Sequence, residues 1–127
     1  MDKFTEIKEE ILRRAKESGA CVEQYKRALE AQTLAELAQV IKDNFTWCCN
    51  NKVLDVEIIE KYKTEFASVD IYANESRSNG YVVIDSNVDY LSGDATAILS
   101  DNATVNYVYG NATVKEVSDN ATVNKVS

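Results

Sequence analysis

Ile84-Asp85-Ser86-Asn87-Val88, Leu91-Ser92-Gly93-Asp94-Ala95, Leu99-Ser100-Asp101-Asn102-Ala103, Val108-Tyr109-Gly110-Asn111-Ala112 and Val117-Ser118-Asp119-Asn120-Ala121 are five renderings of one phrase. Each is an apolar residue, two turn residues, an Asn or Asp, and a small apolar residue four positions after the first. A sixth opens at Val126-Ser127, where the sequence ends. The Val/Ala anchors Val88, Ala95, Ala103, Ala112 and Ala121 stand 7, 8, 9 and 9 residues apart. So short a period rules out a helical repeat and fits strand–turn units of a β-solenoid. After each turn the apolar positions alternate, as in Ala103, Val105 and Ala112, Val114, with Thr104, Thr113 and Thr122 outward, as the two-residue strand period requires. Val and Thr favour strands while Asn, Asp, Ser and Gly favour turns, so local preference and pattern agree.

Stacked turns are expected to place Asn87, Asp94, Asn102, Asn111 and Asn120 in equivalent corners, with two units to a flattened coil and right-handed crossovers. One unit cannot stand alone. Two Val and one Ala gain about 4–6 kcal/mol at about 1.5–3 per large side chain, against about 1.5 kcal/mol for ordering each of roughly nine residues. Each unit therefore needs one above and one below, and the ends need caps. The preceding segment serves at the front. At the back, the expectation is an open strand edge that another chain must cover, most simply a second copy across a two-fold axis. Val117, Ala121, Val123 and Val126 would make that contact, with Tyr107, Tyr109, Asp101 and Asp119 as candidate partner contacts beside it.

Upstream, residues 2–18 carry an apolar stripe of Phe4, Ile7, Ile11 and Ala15 at helical spacing, closed by Ser18-Gly19 with Gly19 as a left-handed cap. A second helix runs from Cys21-Val22 to about Ala31 with Val22, Tyr25 and Leu29. Thr33 and Glu36 form a capping box for a third, with Leu34, Leu37, Val40 and Ile41 on its buried face. A short segment at Phe45-Thr46-Trp47 carries Trp47 inward, and Asp55 caps a last helix to about Phe66. Val69–Ala73 and Tyr81–Ile84 alternate as strands and form the first rung. The chain is thus expected to be α+β: a small helical bundle, residues 1–67, capping a parallel β-solenoid (β-helix), residues 68–127.

The 127 residues carry 14 basic and 21 acidic side chains, a net charge of −7. Asp85, Asp89, Asp94, Asp101, Glu116 and Asp119 face only Lys115 and Lys125 in residues 81–127, so the acidity is concentrated on the repeats. This disfavours direct binding to nucleic acid and suits solubility or a basic partner. No apolar run is long enough for a membrane span, and no signal peptide is visible, so a cytoplasmic location is expected. Cys21, Cys48 and Cys49 lack metal-binding or disulfide spacing and read as buried reduced thiols. The Asn-Ala-Thr sequons follow from turn chemistry.

The chain contains no histidine. That removes the usual general base, the Ser-His and Cys-His pairs and most zinc sites, so no catalytic residue and no cofactor is assigned. Gly93 and Gly110 stand singly, short of the glycine-rich pattern of calcium-binding β-rolls.

Ile11-Leu12-Arg13-Arg14-Ala15-Lys16-Glu17-Ser18-Gly19-Ala20-Cys21, then Trp47-Cys48 and the Asn-Ala-Thr-Val repeats, resemble uncharacterised small proteins of phages and mobile elements of gut bacteria. Those proteins join a helical head to a short-repeat solenoid tail. The resemblance implies an accessory protein acting inside a bacterial host cell and carries no assigned activity. In that setting the expectation is a non-catalytic homodimer that binds a basic host protein or nucleoprotein complex, inhibiting a defence complex as anti-CRISPR proteins do. The alternative is a virion or assembly component that uses the solenoid as a rigid oligomerisation module.

Overall fold

The computed structural model describes residues 2–126; Ser127 of the sixth phrase lies outside them. It is α+β, six helices followed by parallel strands in two sheets, as the patterning implied.

Three of the six helices, those opened by Asp2, Thr33 and Asp55, begin at a side-chain cap. Asp2 Oδ1 accepts the Thr5 N–H (2.8 Å) to open α1 (Lys3–Glu17), which buries Ile7, Ile11 and Ala15. Gly19, at φ +76°, ends it: its N–H reaches the Lys16 carbonyl while that of Ala20 reaches the Ala15 carbonyl, a paired Schellman closure. α2 (Val22–Glu30) follows, and the capping box of Thr33 and Glu36 opens α3 (Leu34–Asp43). α4 (Phe45–Asn50) buries Phe45, Cys48 and Cys49. The helix expected from Asp55 to Phe66 is two, α5 (Val56–Lys61) and α6 (Lys63–Ala67), broken at Tyr62. Arg14 ties α1 to the start of α5 through Asp55 (3.1 Å) and is held on α1 by Glu10 one turn earlier (3.1 Å). Burial opposes its charge, but the hydrogen bonds and charges of Asp55 and Glu10 outweigh that and hold its pKa above the ordinary value.

Four side chains depart from their expected places. Cys21 is exposed because it stands at the N-cap of α2 rather than on a packed face. Val22 and Leu29 are exposed because α2 lies at the margin of the bundle and buries fully only Ala28. Trp47 is half-buried, and Phe45 takes the central position.

β1 (Ile71–Ala73), β2 (Tyr81–Ile84), β4 (Thr96–Leu99) and β6 (Thr113–Val117) form one sheet in the order β1-β2-β4-β6. β3 (Asn87–Leu91), β5 (Thr104–Val108) and β7 (Thr122–Val126) form the other, and every pairing is parallel. From β2 onward, strands adjacent in sequence fall in opposite sheets, and each pairs with the strand two along. Inward residues of both sheets (Val82, Ile84, Ala97 and Leu99 against Val88, Leu91, Val105 and Val108) share one apolar core with Ala95 and Ala103 at the corners. The step from an eight- to a nine-residue unit is absorbed as a bulge: Val114 and Glu116 pair with Ala97 and Ile98, leaving Lys115 as the extra residue.

The helices do more than cap the first strand. α5 and α6 lie against β1, but the helical core also includes Ala73, Val83 and Ile98, which point outward from the first sheet. Tyr81 meets Phe45 edge to face, centroids 4.9 Å apart, and Asn50 reaches Glu116 on β6 at 2.8 Å. The bundle therefore lies along the outer face of that sheet. The front of the second sheet is closed by the loop before β2: Arg77 and Ser78 carbonyls accept from Ser92 and Asp94 N–H, and Ser76 Oγ accepts from Tyr90 N–H.

Candidate functional site at the β6–β7 edge

The repeat phrase provides an internal standard for burial. Its first position is filled by Ile84, Leu91, Leu99, Val108, Val117 and Val126, exposed 0%, 0%, 0%, 6%, 47% and 73% in turn. The residues are chemically alike, so the gradient reflects what lies beyond them. Ala112, Val114, Ala121 and Val123 are likewise only half-buried, whereas Ala95, Ala97, Ala103 and Val105 are fully buried. β6 and β7 each pair on one side only, and among the described residues nothing covers the other. The expected self-association residues Val117, Ala121, Val123 and Val126 thus lie together on one edge, with Ala112 and Val114 added.

The corners carry a signal that sequence reading overlooked. From the second phrase on, the third residue alternates Gly93, Asp101, Gly110, Asp119, and all four have φ between +54° and +70°. Because pairing skips one unit, like stacks on like. A Cβ on Gly110 would come within 3.0 Å of the Gly93 nitrogen, and the Asp119 carboxylate accepts the Asp101 N–H at 3.3 Å. Hence Asp101 and Asp119, though exposed, serve first as left-handed corner residues, a role Asp tolerates better than most. The asparagines divide in the same way. Asn120 Nδ2 donates to Asn102 Oδ1 at 3.4 Å, and a second ladder in mid-strand joins Asn124 to Asn106 at 3.0 Å. Five equivalent corners do not form; two alternating columns do.

Tyr107 and Tyr109 are both exposed, on and just after β5. Tyr109 lies 6.2 Å from Tyr90, tilted by 33°, and Tyr107 stands in register between Tyr90 and Lys125. They sit on the outer side of the second sheet, beside the edge rather than on it. Lys115 and Lys125, the two cations of the repeat region, both fall on β6 and β7, alongside Glu116 and Asp119. The edge is charge-balanced while the earlier units are wholly acidic.

Among the described residues no three metal-ligating side chains converge. Burial pushes the Cys48 thiol up to about 12, and burial with the neighbouring Cys48 raises Cys49 as well, so neither is a thiolate nucleophile near neutrality. No helix among the described residues is long and apolar enough to cross a membrane. The pattern also gave no hint of a pocket of about 210 Å³ between α1 and the α2–α4 layer, whose lining comes from four separate helices. Comparison with protein families, with curated proteins and with solved structures returns no match to this chain.

Proposed function

We propose that the strand units coil as a β-solenoid, two units per turn, and that the protein is a non-catalytic binding module that self-associates through the β6–β7 edge. The observation that carries this is the burial gradient along one repeat position, from fully covered at Leu99 to 73% exposed at Val126. A second copy is favoured as the cover because the edge is self-complementary. Lys115 and Lys125 of one copy can face Glu116 and Asp119 of the other across a two-fold axis, and the strands then meet antiparallel. The end of such a coil is roughly 17 by 10 Å, well short of the roughly 800 Å² per partner of a standard interface. Association is therefore expected to be weak and concentration-dependent.

The acidic earlier units expose Asp89, Asp94 and Asp101, with Asp85 held by Asn74, and suit a basic host protein. In the phage or mobile-element setting that the sequence resembles, inhibition of a defence complex is the matching role. A pull-down that recovers no basic nuclease or effector would count against it, and presence of the protein in purified particles would favour an assembly component instead. Solution mass across a concentration series tests the self-association. A rising mass that Val117→Asp and Val126→Asp hold at the monomer value is expected, and both sites are exposed enough to leave the fold intact. A mass that stays monomeric at every concentration would remove the proposal.

A further inference from the structure

We propose that the pocket between α1, α2, α3 and α4 is a binding site for a small, flat, neutral molecule, largely apolar, that carries a hydrogen-bond acceptor next to a donor, as a cyclic amide does. The pocket holds about 210 Å³. An apolar cavity of about 150 Å³ takes a benzene ring, whereas drug-sized ligands occupy upwards of about 300 Å³, so one substituted ring or two fused rings fit. Its walls include Ile11, Val40 and Val53 with the rings of Tyr25 and Trp47. Alanines at 15, 20 and 28 keep it open where larger side chains would fill it.

The polar part is a locked pair of amides. Gln24 Oε1 accepts from Arg27 Nη1 at 3.0 Å and from Asn44 Nδ2 at 3.0 Å, and Asn44 Nδ2 also donates to the Val40 carbonyl at 2.9 Å. Turning Gln24 over would set its NH₂ against the Arg27 guanidinium, donor against donor, so the orientation is fixed. Arg27 is itself pinned by Asp43 at 3.0 Å. Both hydrogens of the Asn44 amide are thereby used. Gln24 Nε2 and Asn44 Oδ1 are left without a protein partner among the described residues, one donor and one acceptor open to solvent on two bonded residues that line a mostly apolar recess. A carboxylate, which only accepts, or an ammonium, which only donates, would satisfy only half of that pair. Net charge in the ligand would also find no counterpart, since Arg27 is already neutralised by Asp43 and the Cys48 thiol in the lining stays protonated.

Trp47 is the only tryptophan, so its single indole N–H resonance reports on this pocket alone. Titration with oxindole, a bicyclic lactam, and with indane, the hydrocarbon of matching shape, supplies the test. Oxindole is expected to shift the Trp47 signal saturably and to slow alkylation of the exposed Cys21, with indane binding roughly tenfold more weakly, the effect of one or two well-placed hydrogen bonds. Gln24→Leu should bring oxindole down to the level of indane while leaving indane unchanged, and Ala28→Leu should block both with the Asn44–Gln24 bond retained. No shift with either compound in the folded protein would overturn the site. Equal binding of oxindole and indane, or indifference to Gln24→Leu, would overturn its polar recognition. Neither outcome depends on the β6–β7 edge.

Discussion

The two sheets are built from one repeat, yet they bury their residues differently. In the second sheet, β3 and β5 keep only Val88, Leu91, Val105 and Val108 inside and present Asp89, Tyr90, Asn106 and Tyr107 outward. In the first, β2 and β4 each end in a three-residue apolar run, Val82-Val83-Ile84 and Ala97-Ile98-Leu99, buried throughout. The column Val83–Ile98–Glu116 of the first sheet corresponds to Tyr90–Tyr107–Lys125 of the second. The difference is the helical layer: a parallel sheet covered on both faces becomes continuously apolar, and one covered on a single face alternates. β6 shows where the cover stops. It belongs to the first sheet but has returned to an alternating pattern with Lys115 and Glu116, touched there by Asn50.

That contrast is open to direct attack by mutation. Ile98→Ala should cost about 2–5 kcal/mol, because it leaves a cavity between sheet and helices, whereas Tyr107→Ala in the matching column should change stability by no more than about 0.5–1 kcal/mol. Denaturant midpoints would compare them, and equal losses would refute the two-face explanation. Next in size is Gly93→Ala, expected to cost about 2–3 kcal/mol, since a Cβ at φ +54° would collide with the Ser78 carbonyl. Asp119→Gly, at the same point of the phrase in the other column, should move stability by less than about 1 kcal/mol.

Alkali should separate the covered side from the open one. The folded Cys48 thiol keeps its proton up to about 12, while the unfolded chain releases it near 9.0, so above 9.0 the unfolded state binds fewer protons. Stability attributable to this thiol is complete below 9.0 and falls as pH rises towards about 12, by on the order of 1 kcal/mol per unit. Cys49, which lines the seam with Val83 and Ile98, adds to the slope in the same direction. Cys48→Ala should flatten the fall, as pH-dependent denaturation would register. The smallest effect is expected of Glu116→Ile. If the helices covered β6 as they cover β4, the new apolar residue would stabilise the fold. With Glu116 only half-buried and held by the exposed Asn50, the change should stay within about 0.5 kcal/mol.

The sequence by itself determined the α+β class, the strand–turn units, and the helix ends at Gly19, Thr33 and Asp55, because caps and turn residues act over three or four positions. It also marked Val117, Ala121, Val123 and Val126 as a group, since one repeat position can be followed down the chain. Three features were invisible along the chain: where the helices lie on the first sheet, the stacking of Gly on Gly and Asp on Asp at the corners, and the Gln24–Asn44 pair in its pocket. Each joins residues far apart in sequence through shape and packing, and contacts of that range have no period to read. The Gly–Asp alternation was in plain view among the phrases, but it acquires meaning only when pairing is known to skip a unit.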